Sequence, residues 1–451
     1  MKTLYIRNKG ETNEKSRFDT RKCTVRNSGI GYTNSGELTF TIYLQYSRYA
    51  LGWRTWKQCC CKCWLIEFFT GLGYSINTLV VIGAGIKVSH ALGRNEDNEA
   101  KAYINSGIFV NFILATLYAI MLLFAGKYFI GFLKLGNQVV ENDANLYLMI
   151  SAPMLFFSFF NQMYIRILGS YGHNSGALKI SAAGIVLNII LDPIFIYIFK
   201  FGVAGAAIAT LVSNIAMFIM FRVSSKGLFN FDFNIGISKE KVMEVIRLGF
   251  PMAFQRILFT LVNIILARII SIFGSDAIAA QKIGVQIESV TFMIIGGLNG
   301  AIASFTGQNF GAKKYDRIVK GYNTSLTIGI VYAISTSIVF ILLPEYLVKI
   351  FINDPSTIEI ASMYLKIIAY SQIFSAIEMV SNGMFTGLGM PNIPATISII
   401  FTVLRIPMAL VFIKYFDVNG VWLSISVSSV LKGIAAYIMY ILKVRKDEKY
   451  A

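Results

Sequence analysis

The chain is expected to fold as an all-α polytopic membrane protein built from two homologous bundles of helices, and three observations say so. Apolar stretches of about twenty residues recur from Leu65 onward, the length a helix needs to cross a bilayer. The composition is 55% hydrophobic and only 14% charged, with a mean hydropathy of +0.61. Finally, the first half of the apolar region is echoed in the second. An outer-membrane barrel does not fit, because its strands alternate over about ten residues whereas these runs are continuous.

Residues 1–64 differ from everything after them. They carry twelve Lys or Arg against Glu11, Glu14, Asp19 and Glu37, three of the four Trp, and all five Cys (Cys23, Cys59, Cys60, Cys61, Cys63). No span-length apolar run is present, so an atypical and poorly ordered segment is expected. The cysteine run lacks a second ligand pair at zinc-site spacing, and no metal is expected there.

Spans then follow at 65–92, 104–126, 146–167, 179–200, 203–222, 245–272, 278–306, 319–343, 360–386, 395–414 and 419–442. The domain reading is a first bundle over 65–222, a linker over 223–244, a second bundle over 245–443 and a tail over 444–451. Amphipathic connections at Lys127 to Asn145 and Pro344 to Glu359 are expected along the outer surface. The formal charge of +17 would suit a nucleic acid, but the bases sit in the short connections between spans. Placing the linker in the cytoplasm puts seventeen Lys or Arg on its side and six on the other, the distribution of a cytoplasmic membrane protein with a cytoplasmic C-terminus. The expected partners are the lipid bilayer and small molecules, with no nucleic acid and a monomeric chain.

The repeat is carried by two pairs of segments. Gly83 to Gly93 parallels Ala301 to Gly311, each a small-residue helix end followed by a charged loop, and Gly202-Val-Ala-Gly205 parallels Asp417-Val-Asn-Gly420. The offsets are similar, 311 − 93 = 218 and 420 − 205 = 215. Asp192-Pro193 falls opposite Ile406-Pro407, so the proline repeats and the acid does not. Two facing repeats with a polar site in one of them is the layout of a secondary transporter. No phosphate-binding loop accompanies them, so an ion gradient is the expected drive.

Asp192 lies within an otherwise apolar stretch from Lys179 to Lys200. An acid at membrane depth is costly and by default marks an ion or proton path. Asn188 lies four residues earlier on the same helix face, and Pro193 deprives a nearby carbonyl of its donor. The alternative role for Asp192 is pairing with a buried arginine or hydroxyl.

Gly85 to Gly93, Asn188 to Pro193 with Gly202 to Thr210, Leu248-Gly-Phe-Pro251, Ala277 to Gln281 through Glu288, Gly307-Gln-Asn-Phe-Gly311 and Arg405-Ile-Pro407 occur in an order and spacing that resembles the multidrug and toxic compound extrusion (MATE) family, over roughly residues 71–445. The resemblance implies two six-helix bundles and export of amphipathic or cationic organic compounds in exchange for Na+ or H+, with no other cofactor and no enzymatic activity. It places the cation on Asn188, Asp192 and Thr210, with Na+ at Asp192 as the only metal. The family's first-helix aspartate has no match, which leaves about five spans against six. Reading AT-rich codons for Ile42 to Trp64 one nucleotide later gives Y-I-Y-N-I-V-D-T-L-W-V-G-E-L-G-S-N-A-A-A-N-V-G, which resembles that missing helix. Residues 1–64 would then be the product of a shifted reading frame.

Glu288, Gln281, Gln255 and Glu378 are the candidates for a substrate cavity. For Glu288 an ion pair with Arg268 or Arg256 is the competing expectation, and for Glu378 a buried hydrogen bond. Arg405 is expected to anchor a helix end, and Lys87 to reach the membrane interface. Two other readings stand beside export: a lipid-linked saccharide flippase with a basic lumen, and a membrane protein left inactive by the missing helix.

Overall fold

The computed structural model describes residues 56–132, 138–201, 203–225 and 227–445. The expectations for residues 1–55 lie outside these, as do the side chains of 56–68 and with them the cysteine run. In chain order the helices are α1 (Trp56–Gly93), α2 (Asp97–Phe132), α3 (Gln138–Ser170), α4 (Asn174–Pro193), α5 (Val203–Ser224), α6 (Lys239–Ile270), α7 (Ser275–Gly311), α8 (Tyr315–Leu342), α9 (Pro344–Lys349), α10 (Pro355–Ala369), α11 (Gln372–Gly387), α12 (Asn392–Val403) and α13 (Arg405–Tyr440). The first helix starts at Trp56, ahead of the Leu65 expected for the first span.

Among the described residues nine helices are long and apolar enough to cross a membrane, or ten if the bent pair α10 and α11 forms one span. The ninth, Asn392–Arg445, has 54 residues, far more than the roughly 20 that one crossing needs. It breaks at Asp417, which has φ 49° and ψ −136°. The chain folds back there, because Gly420 comes against the backbone of Phe412 and a Cβ on it would meet that carbonyl oxygen at 2.5 Å. Two crossings therefore lie in this stretch, in line with the spans at 395–414 and 419–442. The span expected at 360–386 is instead two helices at 55°. Neither Gly nor Pro makes that bend; Ser371 sits at it and returns its hydroxyl to the Ile368 carbonyl at 2.9 Å, a local bond that competes with the helix ladder.

The hairpin between α4 and α5 repeats the device. A Cβ on Gly205 would stand 2.8 Å from the Phe195 carbonyl, so Gly205 and Gly420, paired by the sequence repeat, each seat the last helix of a bundle on the backbone of the helix before it. Helix ends are stabilised locally too: Asp97 and Glu99 lie in the first turn of α2, where negative charge suits the helix dipole. Asp354 caps α10 by accepting from the Thr357 amide at 3.0 Å.

One hydrophobic core unites α1 to α5 and takes in Val245 at the start of α6. Two others fill the second half, one around Tyr364 and Trp422 and one around Tyr322 and Phe385. Large apolar side chains such as Phe124 (74% exposed) and Leu342 (70% exposed) cover the outside, the surface that lipid would solvate.

The bundles meet at their linker-side ends. Gln308 Nε2 donates to the Ser170 carbonyl at 2.6 Å, and His90 Nε2 lies 2.7 Å from the Gly387 carbonyl oxygen. Lys87 pairs with Glu244 across the junction at 2.9 Å, so it does not simply reach for the interface as expected; an acid on the facing helix holds it. The linker rests on the first bundle, where Lys101 Nζ donates to the carbonyls of Leu228 and Asn230 at 2.6 and 2.8 Å. α4 and α5 pack within the first bundle, away from this junction.

Candidate functional site

The buried positions of α4 are Ala177, Gly184 and Asp192, spaced by seven and eight residues and so on one stripe. That stripe faces α5. A Cβ on Gly184 would collide with Met217, Asn188 Nδ2 donates to Thr210 Oγ1 at 3.4 Å, and Gly205 meets Phe195. The antiparallel register therefore runs 184 with 217, 188 with 210 and 195 with 205. It sets Asp192 opposite Ala206 and Ala207, both buried, whose methyl groups offer no donor. Thr210 returns its own hydroxyl proton to the Ala206 carbonyl at 2.9 Å.

The outcome is a carboxylate 3% exposed with neither oxygen hydrogen-bonded among the described residues. Pro193 follows directly and cannot donate to the Ile189 carbonyl. Beyond it the helix widens, with Phe199 N–H bonded to the Ile194 carbonyl five residues back at 3.0 Å. Carboxylate, amide and hydroxyl oxygens along the contact of α4 with α5 are hard donors, suited to Na+ or to a proton. Among the described residues no group of three His, Cys, Asp or Glu is placed to hold a metal ion, so Asp192 supplies a single negative charge.

The four candidates for a substrate cavity all sit in the second bundle, each with a partner. Glu288 accepts from the Tyr364 hydroxyl at 2.8 Å and from Gln372 Nε2 at 3.3 Å. Neither Arg268 nor Arg256 is its partner, because Arg256 turns instead toward Thr78 of the first bundle, 3.2 Å away. Gln281 accepts from Trp422 Nε1 at 2.8 Å, and Gln255 donates to Ser398 at 2.9 Å. Glu378 lies 4.0 Å from Lys432, an ion pair where a hydrogen bond was the competing expectation.

Arg405 is 5% exposed and donates to Ser428 and Ser429 at 3.0 and 3.4 Å. It thus ties the two limbs of α13 together inside the bundle. Lys432, 3% exposed, was missed in the sequence reading. The signal was available, since a lysine in the middle of the last span is as costly as an aspartate and invites the same question. Arg166, counted among the linker-side bases, reaches into the junction and donates to the Gly300 carbonyl at 3.3 Å.

The family model MatE matches residues 65–194 and 251–411. A protein of Thermotoga maritima named probable multidrug resistance protein NorM is 26% identical over 359 residues, 76% of each chain. The multidrug export protein MepA of Staphylococcus aureus is 25% identical over 383 residues, covering 82% of this chain and 83% of its own. The fold is that of the MATE transporter VcmN of Vibrio cholerae, with a TM-score of 0.84 at 18% identity over 96% of both chains. With a family model matched over more than half of its length, the chain belongs to the MatE family of membrane transporters.

Proposed function

We propose that the chain is a secondary active antiporter of a bacterial cytoplasmic membrane, exporting amphipathic or cationic organic compounds in exchange for Na+ or H+. Asp192 is its coupling carboxylate, with Asn188 and Thr210 as neighbouring oxygen donors. The observation that carries this reading is the pair of Asp192 oxygens, buried and without a hydrogen-bond partner among the described residues. A carboxylate in that position is costly while charged and unpaired. A proton or Na+ removes the cost, so cation occupancy becomes a large term in the energy of whichever conformation buries the group. The names of the relatives, one a multidrug resistance protein and one a multidrug export protein, support the cargo class.

With the linker in the cytoplasm, contacts gathered at the linker-side ends correspond to an outward-open state. The cation reaches Asp192 from outside and leaves it toward the cytoplasm, and its binding and loss shift the equilibrium between the two arrangements of the bundles. Cargo takes the opposite course, binding from the cytoplasm and leaving to the outside. A coupling of about 1–3 kcal/mol between cation and cargo would be typical of such a device.

The test is transport in liposomes. Ethidium movement by the purified chain should accelerate under an opposing gradient of Na+ or of protons, and Asp192→Asn should erase the gradient dependence. Movement indifferent to both gradients would refute the coupling.

A further inference from the structure

Two arginines stand at the junction of the bundles without an acid. Arg256, midway along α6, is exposed, and its bond to Thr78 Oγ1 on the opposite bundle turns it toward the space between the bundles rather than toward lipid. Arg166, near the end of α3, has a buried Nε without a partner. It lies over Gly85, where a Cβ would come 2.8 Å from its Cγ. Thr78 and Gly85 are seven residues apart, which is two turns, so they share a face of α1 and lie about 10.5 Å apart along the helix axis. One face of α1 is therefore met by two guanidinium groups, one from each bundle.

Three other cations within the spans have answers. Lys87 has Glu244 and Lys432 has Glu378, while Arg405 has two serine hydroxyls and lies over the Phe259 ring at 5.7 Å. For Arg166 and Arg256, among the described residues, the only hydrogen-bond acceptors in reach are one carbonyl and one hydroxyl. That uses a small part of the donor fork, whose geometry matches a carboxylate or a phosphate in two-point contact. A guanidinium exposed in the space between the bundles with most of its donors unused is open to a ligand that offers such a two-point contact.

We propose that Arg256, with Arg166 two turns away along the same face of α1, binds an anionic group of the cargo, a carboxylate or a phosphate, in the space between the bundles. The proposal rests on the reading of the chain as an exporter and adds to its cargo amphiphiles that carry a negative group, alone or beside a positive one. It also supplies a release step. Both arginine bonds cross from one bundle to the other, so they form as the linker side closes. The Gly300 carbonyl and the Thr78 hydroxyl then take the places that the anion held, and the anion leaves on the open side. When the linker side parts, the same donors are freed to face the cytoplasm.

The experiment is equilibrium binding to the purified full-length chain in detergent, with dansyl-undecanoic acid, its methyl ester and lysophosphatidate as probes. The acid should bind about tenfold more tightly than the ester. Arg256→Gln should remove most of that difference and Arg166→Gln a smaller part of it, both leaving the ester unchanged, and Arg256→Lys should keep most of it. Retained ester binding serves as the control for folding. Asp192→Asn should leave the acid-to-ester ratio intact, so a failure of the coupling reading and a failure of this one are separate results. Displacement of the acid by lysophosphatidate would assign the site to lipid phosphate, and its failure to displace would assign the site to soluble carboxylates; either result supports the proposal. Equal binding of acid and ester, no binding of any probe, or a ratio untouched in both glutamine variants would overturn it.

Discussion

Gly93 and Gly311 lie against each other across the junction of the two bundles. A Cβ on Gly93 would stand 2.9 Å from the Gly311 Cα, and one on Gly311 would stand 3.1 Å from the Gly93 Cα. Each glycine also sits over a carbonyl of the other helix, Gly93 over Gln308 and Gly311 over His90. By the 218-residue offset Gln308 is the counterpart of His90, so the contact is reciprocal, as at a two-fold interface between identical subunits. The repeat seen in the sequence is thus a pseudo-two-fold relation that passes through the contact joining the linker-side ends of the bundles.

Gly93→Val should accordingly prevent that closure without unfolding either bundle. The cost falls on one conformation only, because the added side chain meets backbone of the opposite bundle, and backbone cannot swing aside. Ethidium efflux should fall by about tenfold or more, since each ~1.4 kcal/mol on the equilibrium is a factor of ten. Size-exclusion of the detergent-solubilised variant should still give a single symmetrical peak; an aggregated protein would mean that Gly93 serves folding instead.

Lys87 and Glu244 provide a milder test of the same closure. Their side chains are 24% and 35% exposed, so solvent screens the pair and about 1 kcal/mol is an upper value for its contribution. Lys87→Glu should reduce efflux through like charges across the junction, and adding Glu244→Lys should restore most of it. The coupling energy from the double-mutant cycle measures the pair directly.

Tyr364→Phe removes the hydroxyl that Glu288 accepts from at 2.8 Å. A buried carboxylate that loses one of two donors should cost about 1–3 kcal/mol of stability. The midpoint of thermal unfolding in detergent should drop by several degrees. Efflux at low temperature should be little changed, because this glutamate is tied up inside the second bundle.

The parts of this molecule that were legible in the sequence are those with short-range signals. Gly93, Gly205, Gly311 and Gly420 were readable because close helix approach selects glycine twice at matching offsets. Asp192 was readable because an acid in an apolar run stands out, and Asn188 because it lies one turn away. The partners of Glu288 were not, since Tyr364 and Gln372 lie 76 and 84 residues on and nothing local points to them. Arg166 was counted as a loop charge because it lies about one turn inside its helix end, where sequence alone cannot tell a side chain turned to the membrane surface from one turned to the neighbouring bundle. The bend at Ser371 was hidden too, as it uses neither of the usual helix breakers.

The most direct test of the account is ethidium efflux from cells producing the chain or its Asp192→Asn variant. It is measured in parallel for the form in which the shifted-frame segment replaces Ile42 to Trp64. The carboxylate is isosteric with the amide that replaces it, so the substitution removes charge and protonation while sparing the packing around the buried side chain. The account predicts efflux that Asp192→Asn reduces to the level of cells without the transporter. Undiminished efflux by Asp192→Asn in a form that exports would contradict the assignment of Asp192 as the coupling site.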